Sequence, residues 1–171
     1  NYRERGMHTL LFTSALYAES EEGQISSRLG VHANAELYSE GDDLYAWIER
    51  AHAARALSCV FVDEAQFLTR AQVWQLAHVA DRLRIPVLCY GLRTDFRGEL
   101  FAGAAELLAI ADSLREVRTI CHCGAKATMV LRRNDEGAVT TRGDQVGIEK
   151  SVYVSLCRKH WADETGAWPP P

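Results

Sequence analysis

The chain alternates short, unbroken apolar runs with stretches whose apolar positions recur every three to four residues. "HTLLFTS" (8–14), "CVFVD" (59–63) and "IPVLCYGL" (85–92) are continuous rather than alternating, which predicts strands buried on both faces. Between them, Leu44, Trp47, Ile48, Ala51 and Ala54 fall at helical spacing within 42–57. Thr69 is a suitable N-cap for "RAQVWQLAHVADRLR", whose stripe uses Val73, Leu76, Ala77, Val79 and Leu83, and Pro86 follows to stop that helix. An Ala- and Leu-rich stretch, 101–111, predicts a third helix. Strand–helix alternation of this kind predicts an α/β fold, a parallel sheet with flanking helices.

The character changes near residue 116. "ATMVLRR-NDEG-AVTTR" reads as a β-hairpin turning over Asn134 to Gly137, with cysteines on both sides. The expected division is therefore 1–116 for the α/β part and 117–171 for a small β lobe. At the other end, "NYRERG" reads as the tail of a helix closed by Gly6 in the left-handed conformation, so a preceding segment is expected.

Composition narrows the class. With 171 residues, 47% hydrophobic and 25% charged, the chain has the balance of a globular protein. A net charge of −4 and the absence of any Lys/Arg-rich block argue against nucleic acid as a partner. The longest apolar runs are too short to cross a bilayer, so no membrane association is expected. Five unevenly spaced cysteines do not form a secreted disulfide framework, and a cytoplasmic location is expected.

Two features carry chemistry. The run 59–62 ends on adjacent carboxylates, Asp63 and Glu64. Side chains beyond the carboxyl ends of parallel strands face a ligand site. Four apolar residues followed by Asp is the Walker B pattern, whose acid holds nucleotide Mg²⁺, and the next acid is placed to deprotonate an attacking hydroxyl. The competing reading is a solvated acid that caps the next helix. The second feature is Cys121 and Cys123 in "TICHCGAK" with Cys157 and His160 in "SLCRKHW". The two pairs bracket the hairpin, as in a ribbon-type Zn²⁺ site, and four N/S ligands suit a structural ion. His122 is the other candidate imidazole; Cys-x₂-His favours His160. Independent thiols are the alternative.

A third stretch, "YGLRTDFRGELF" (90–101), carries Leu92, Phe96 and Phe101 with Arg93 and Arg97 interleaved. With Phe67 these rings suit a flat slot for a base, the arginines lying near phosphate; the alternative is helix-entry packing with solvated arginines. Tyr153 could add a ring and hydroxyl.

"VDEAQFL", "IPVLCYGLRTDFRGELF", "TICHCGAKATMVLR" and "YVSLCRKH", in that order, resemble the type II thymidine kinases of the bacterial kind, in register from Asn1 to about Trp161. The resemblance implies a P-loop NTPase-like α/β domain, a zinc-bound lobe with a lasso loop over thymidine, and a homotetramer or homodimer. The activity it implies is transfer of the ATP γ-phosphoryl group to the thymidine 5′-hydroxyl with Mg²⁺. Glu64 then matches the general base. Asp63, Gln66 and Arg28 lie on the Mg²⁺/ATP side. Phe67, Leu92, Phe96, Phe101, Val146, Gly147, Ile148 and Tyr153 surround the nucleoside, and Cys121, Cys123, Cys157 and His160 hold zinc.

The resemblance places the opening strand and P-loop before Asn1. "LYAESEEG" (16–23) lacks the Asp and Arg expected after the second strand, and "QVGIEKSVY" is about one residue short and lacks the Ile-Gly-Gly of the lasso. A second reading follows: a kinase-like domain that keeps fold and zinc as a binding module, without ATP turnover. A helicase-type ATPase, suggested by "DEAQ", lacks further support.

Overall fold

In the computed structural model the described residues are 2–17, 23–26, 32–145 and 151–167. Arg28, Val146, Gly147 and Ile148 lie outside them. The chain divides into two compact units: Asn1–Leu92 with Ala102–Ala111, and Arg93–Phe101 with Asp112–Pro171.

The first unit is built on a four-stranded parallel sheet. Its strands are β1 (Thr9–Ser14), β4 (Glu36–Tyr38), β5 (Cys59–Val62) and β6 (Val87–Cys89), in the order β4-β1-β5-β6. Phe12 pairs with Val62 across β1 and β5, and both are fully buried along with Val60. The apolar runs are continuous because helices cover this sheet. Helix α1 (Leu44–Ala54) buries Leu44 and Ile48, and α2 (Arg70–His78) buries Val73 and Leu76. Asp43 caps α1 through Ala46 N–H, and Thr69 and Gln72 form a reciprocal capping box on α2. Gln72 also donates to the carbonyls of Ser39 and Asp42, tying α2 to the approach of α1.

Two elements differ from expectation. Strand β6 is three residues long and half-buried instead of spanning 85–92, because β5 flanks it on one side and it forms an edge among the described residues. The second helix loosens into a π-helical turn over Val79–Leu83 and ends at Arg84, which is left-handed at φ 57°. A short antiparallel pair, β2 (Gln24–Ser26) with β3 (His32–Asn34), was not foreseen: three-residue strands carry no readable periodicity. Helix α3 (Ala102–Ile110) begins against the backbone after β5. A Cβ on Gly103 would lie 2.6 Å from the Leu68 carbonyl and 2.8 Å from that of Ala65, so only glycine permits this approach.

The second unit has a three-stranded antiparallel sheet, β10-β9-β11, and a two-stranded one. The latter joins β7 (Thr119–Ile120) and β8 (Lys126–Ala127); the former comprises β9 (Met129–Arg133), β10 (Val139–Thr140) and β11 (Val152–Leu156). The β9–β10 turn is the predicted one: Asn134 Oδ1 accepts from the N–H groups of Glu136 and Ala138, and Gly137 supplies φ 81°. Helix α4 (Arg158–Thr165) follows β11. Its Trp161 donates to the carbonyls of Phe96 and Val130, both at 3.1 Å.

Candidate functional site

Asp63 and Glu64 leave the carboxyl end of β5 on a tightly held backbone. Asp63 N–H donates to the Phe12 carbonyl and Ala65 N–H to that of Tyr90, both at 2.8 Å. Glu64 itself is left-handed, φ 53° and ψ 35°. That conformation costs a non-glycine residue about 1 kcal/mol, and the surroundings hold it. The Glu64 carbonyl accepts from the buried Tyr38 hydroxyl at 2.8 Å and from Phe67 N–H at 3.0 Å. A strained residue whose carboxyl lies at a strand end is where a reactive group is expected.

The Glu64 carboxyl is half-buried, and burial pushes its pKa above the ordinary range. A hydrogen bond from Gln66 pulls the other way, and the neighbouring Asp63 charge adds to the rise. Asp63 lines an open depression of about 330 Å³ with Leu11, Ile25, Phe61 and Tyr90. A carboxylate at the edge of open space can reach a ligand cation; one raised toward neutrality can exchange a proton. Burial also carries the Tyr38 hydroxyl far above its usual range and Cys89 to about 12, leaving both uncharged.

Gln66 is buried, and both ends of its amide are engaged: Nε2 donates to Glu64 Oε2 at 2.6 Å, and Oε1 accepts from Leu92 N–H at 3.0 Å. Phe67 completes the same 3₁₀ turn and is half-buried, while Leu92 is exposed. The structure thus gathers Asp63, Glu64, Gln66, Phe67 and Leu92 around the end of β5. Sequence reasoning missed Tyr38 and Gly91. The latter has a readable signal, a glycine just past a strand, and a Cβ there would lie 2.5 Å from Gln66 Oε1.

In the second unit, Cys121, Cys123, Cys157 and His160 converge, their ligand atoms all within 4.8 Å of one another. His160 Nδ1 lies 3.4 Å from both Cys121 Sγ and Cys157 Sγ, and Cys123 Sγ lies 4.0 Å from Cys157 Sγ. A tetrahedron with Zn–S near 2.3 Å and Zn–N near 2.0 Å has S–S edges of about 3.8 Å and S–N edges of about 3.5 Å. The observed separations fit, so this cluster can hold a metal such as zinc. The backbone N–H of Cys123, then that of Cys157 and the His160 ring, draw the Cys121 thiol down to about 6, toward the thiolate a metal requires. The His122 ring lies beside that of His160, with centroids 4.3 Å apart and planes tilted by 33°, and is outside the four-ligand group.

The aromatic loop 93–101 is organised by buried Asp95, which accepts from the N–H groups of Arg97 and Glu99 and from Arg97 Nε, all at 2.9 Å. Arg97 also pairs with Glu99. Its charge is therefore met within the loop. Phe96 is buried, and the Arg132 guanidinium lies 3.9 Å from its ring centroid. Phe101 is buried as well, and its N–H donates to the Arg93 carbonyl. Arg132 stands in register with Tyr153, which is partly exposed. Arg132 was also missed: in a hairpin, "RR" reads as solvated charge.

The family model "Thymidine kinase" matches residues 1–161. The chain belongs to the thymidine kinase family. It is 60% identical to the thymidine kinase of Mesorhizobium japonicum, over 97% of this chain and 82% of that protein. Against those of Novosphingobium aromaticivorans and Ruegeria pomeroyi it is 58% and 56% identical, again over 97% of this chain and over 87% and 84% of theirs. No helix among the described residues is long and apolar enough to cross a membrane.

Proposed function

We propose that the chain is a thymidine kinase that transfers the ATP γ-phosphoryl group to the thymidine 5′-hydroxyl. The observation that carries this reading is the Asp63–Glu64 pair at the end of β5, a strained, half-buried carboxyl beside an accessible one, in a chain of this family. Glu64 takes the 5′-hydroxyl proton; its raised pKa brings it closer to the working range of a general base. Asp63 is the residue that would hold Mg²⁺, which neutralises phosphate charge when bound with ATP. The sheet is assigned as P-loop NTPase-like, with Arg28 and Gln66 on the nucleotide side. Phe67 and Leu92 of the first unit are assigned to the nucleoside. So are Phe96, Phe101 and Tyr153 of the second, with Val146, Gly147 and Ile148 as the lasso. The Cys₃His cluster fits a closed structural Zn²⁺ site, its fourth position filled by His160. A homotetramer or homodimer and a cytoplasmic location complete the reading.

Glu64→Gln keeps size and removes the base. Turnover should fall about 10²–10⁴-fold while thymidine affinity, measured by calorimetry, stays within twofold. Turnover within tenfold of the unchanged chain would remove Glu64 from the base role. The reading without ATP turnover is favoured by 16–23, which holds neither Asp nor Arg. It predicts nucleoside binding with no ADP formed by the unsubstituted chain.

A further inference from the structure

Tyr38 is 1% exposed and ends β4, two strands away from the acids of β5 in the order β4-β1-β5-β6. Neighbouring strands stand about 4.8 Å apart, so its side chain has to reach past β1, where Ser14 is its register partner. It does so, and its hydroxyl donates to the Glu64 carbonyl at 2.8 Å. The peptide between Glu64 and Ala65 is therefore gripped at both poles. Its N–H is taken by the Tyr90 carbonyl just past β6, its carbonyl by the Tyr38 hydroxyl from β4. The second donor to that carbonyl, Phe67 N–H at 3.0 Å, belongs to the turn itself and moves with it. A peptide held at both poles cannot rotate, and that rotation is what ψ of Glu64 measures. Glu64 is left-handed, φ 53° and ψ 35°, a conformation that a non-glycine residue leaves when its backbone is released. A return to negative φ would turn its Cα–Cβ bond away from the present direction.

We propose that Tyr38 is a positioning residue for Glu64: its hydroxyl, anchored from β4, fixes the 64–65 peptide and so keeps the carboxylate aimed at the substrate hydroxyl. The proposal rests on Glu64 being the base. The two parts of the side chain serve different ends. The ring packs in the main core cluster with Phe12 and Val62, whereas the hydroxyl is spent on the turn. A phenylalanine of the same shape keeps the first and deletes the second. The core is left filled, and the loss falls on the direction of one carboxylate.

The test compares Tyr38→Phe, Glu64→Gln and the double variant in thymidine kcat and KM. Tyr38→Phe should lower kcat about 10- to 100-fold, the cost of misplacing a reacting group by about 1 Å, with KM within about twofold. A residue that merely stabilised the fold would leave kcat of the folded chain where it was. In the Glu64→Gln background the same change should cost no more than about twofold, because no carboxylate is left to aim. In the unsubstituted chain the Tyr38 hydroxyl proton should show a scalar coupling across the hydrogen bond to the ¹³C-labelled Glu64 carbonyl, a measurement that needs no variant to fold. An unchanged kcat in Tyr38→Phe, a missing coupling, or an equal loss in both backgrounds would overturn the proposal and leave Glu64 as base untouched. If Glu64→Gln alone keeps turnover within about tenfold, the base assignment itself is overturned, and the role of Tyr38 goes with it.

Discussion

The two units hold their functional groups by different means. Among the described residues the first unit packs thirteen buried apolar residues in one cluster around Phe12, Ile48, Val60 and Val62; the cluster of the second holds three, Cys121, Leu131 and Leu156, with Phe96, Phe101 and Ala162 buried outside it. A cluster of three cannot offset the chain entropy of a lobe this size. One of those three, Cys121, belongs to the Cys₃His group that can hold a metal. The first unit can therefore keep a left-handed Glu64 with a disfavoured charge, because strands and helices over-determine its backbone. In the second, four side chains able to hold a metal meet at a point. Hydrophobic burial tolerates local strain; coordination substitutes for burial.

Removing metal should separate the two most sharply. Apparent binding energies of structural zinc in small domains are about 10–16 kcal/mol, more than a typical domain's stability. A strong chelator should abolish amide-exchange protection in β9 and β11 while β1 and β5 stay protected. Loss of protection in all four strands together would mean that the sheet of the first unit also leans on the metal, and the contrast would fail.

Core truncations sharpen the same contrast at smaller amplitude. Ile48 is fully buried between α1 and the sheet, and Ile48→Ala should cost about 2–5 kcal/mol in urea denaturation with metal affinity unchanged. Leu131 is equally buried, but it packs in the three-residue cluster that includes Cys121 of the Cys₃His group. Leu131→Ala should therefore appear chiefly as weaker zinc retention against a competing chelator. If zinc retention stays the same and only the denaturation midpoint moves, Leu131 is an ordinary core residue.

The same asymmetry governs what was legible beforehand. Burial writes itself into sequence as periodicity, so β1, β5, α1 and α2 were readable, together with the acids at the end of β5. Metal ligation writes itself as spacing, so Cys121, Cys123, Cys157 and His160 were readable as a set. Residues that act through a single contact leave neither mark. Tyr38 looks like any strand tyrosine until its hydroxyl meets the Glu64 carbonyl, and Arg132 like any hairpin cation until it lies over Phe96. The extent of β6 was overestimated for a related reason: an edge strand can be as apolar as a central one, and composition does not say how many neighbours it has.

Arg132 is the most delicate point of the second unit. Its guanidinium covers the Phe96 ring, donates to the Arg142 carbonyl at 3.3 Å and the Asp144 carbonyl at 3.2 Å, and lies against Gly143, whose Cβ would stand 3.0 Å from it. One side chain thus ties the aromatic loop to the 142–144 segment, work that a larger core would share among many residues. Cation–π contacts that are largely desolvated contribute about 2 kcal/mol. Arg132→Met should accordingly lower the stability of the zinc-loaded chain by about 1–2 kcal/mol. Phe96→Leu in the same background should cost less than it does alone, the two sharing about 1 kcal/mol of coupling in a double-mutant cycle. Additive losses would show that ring and guanidinium merely adjoin, and that the loop is held by Asp95 and Trp161 alone.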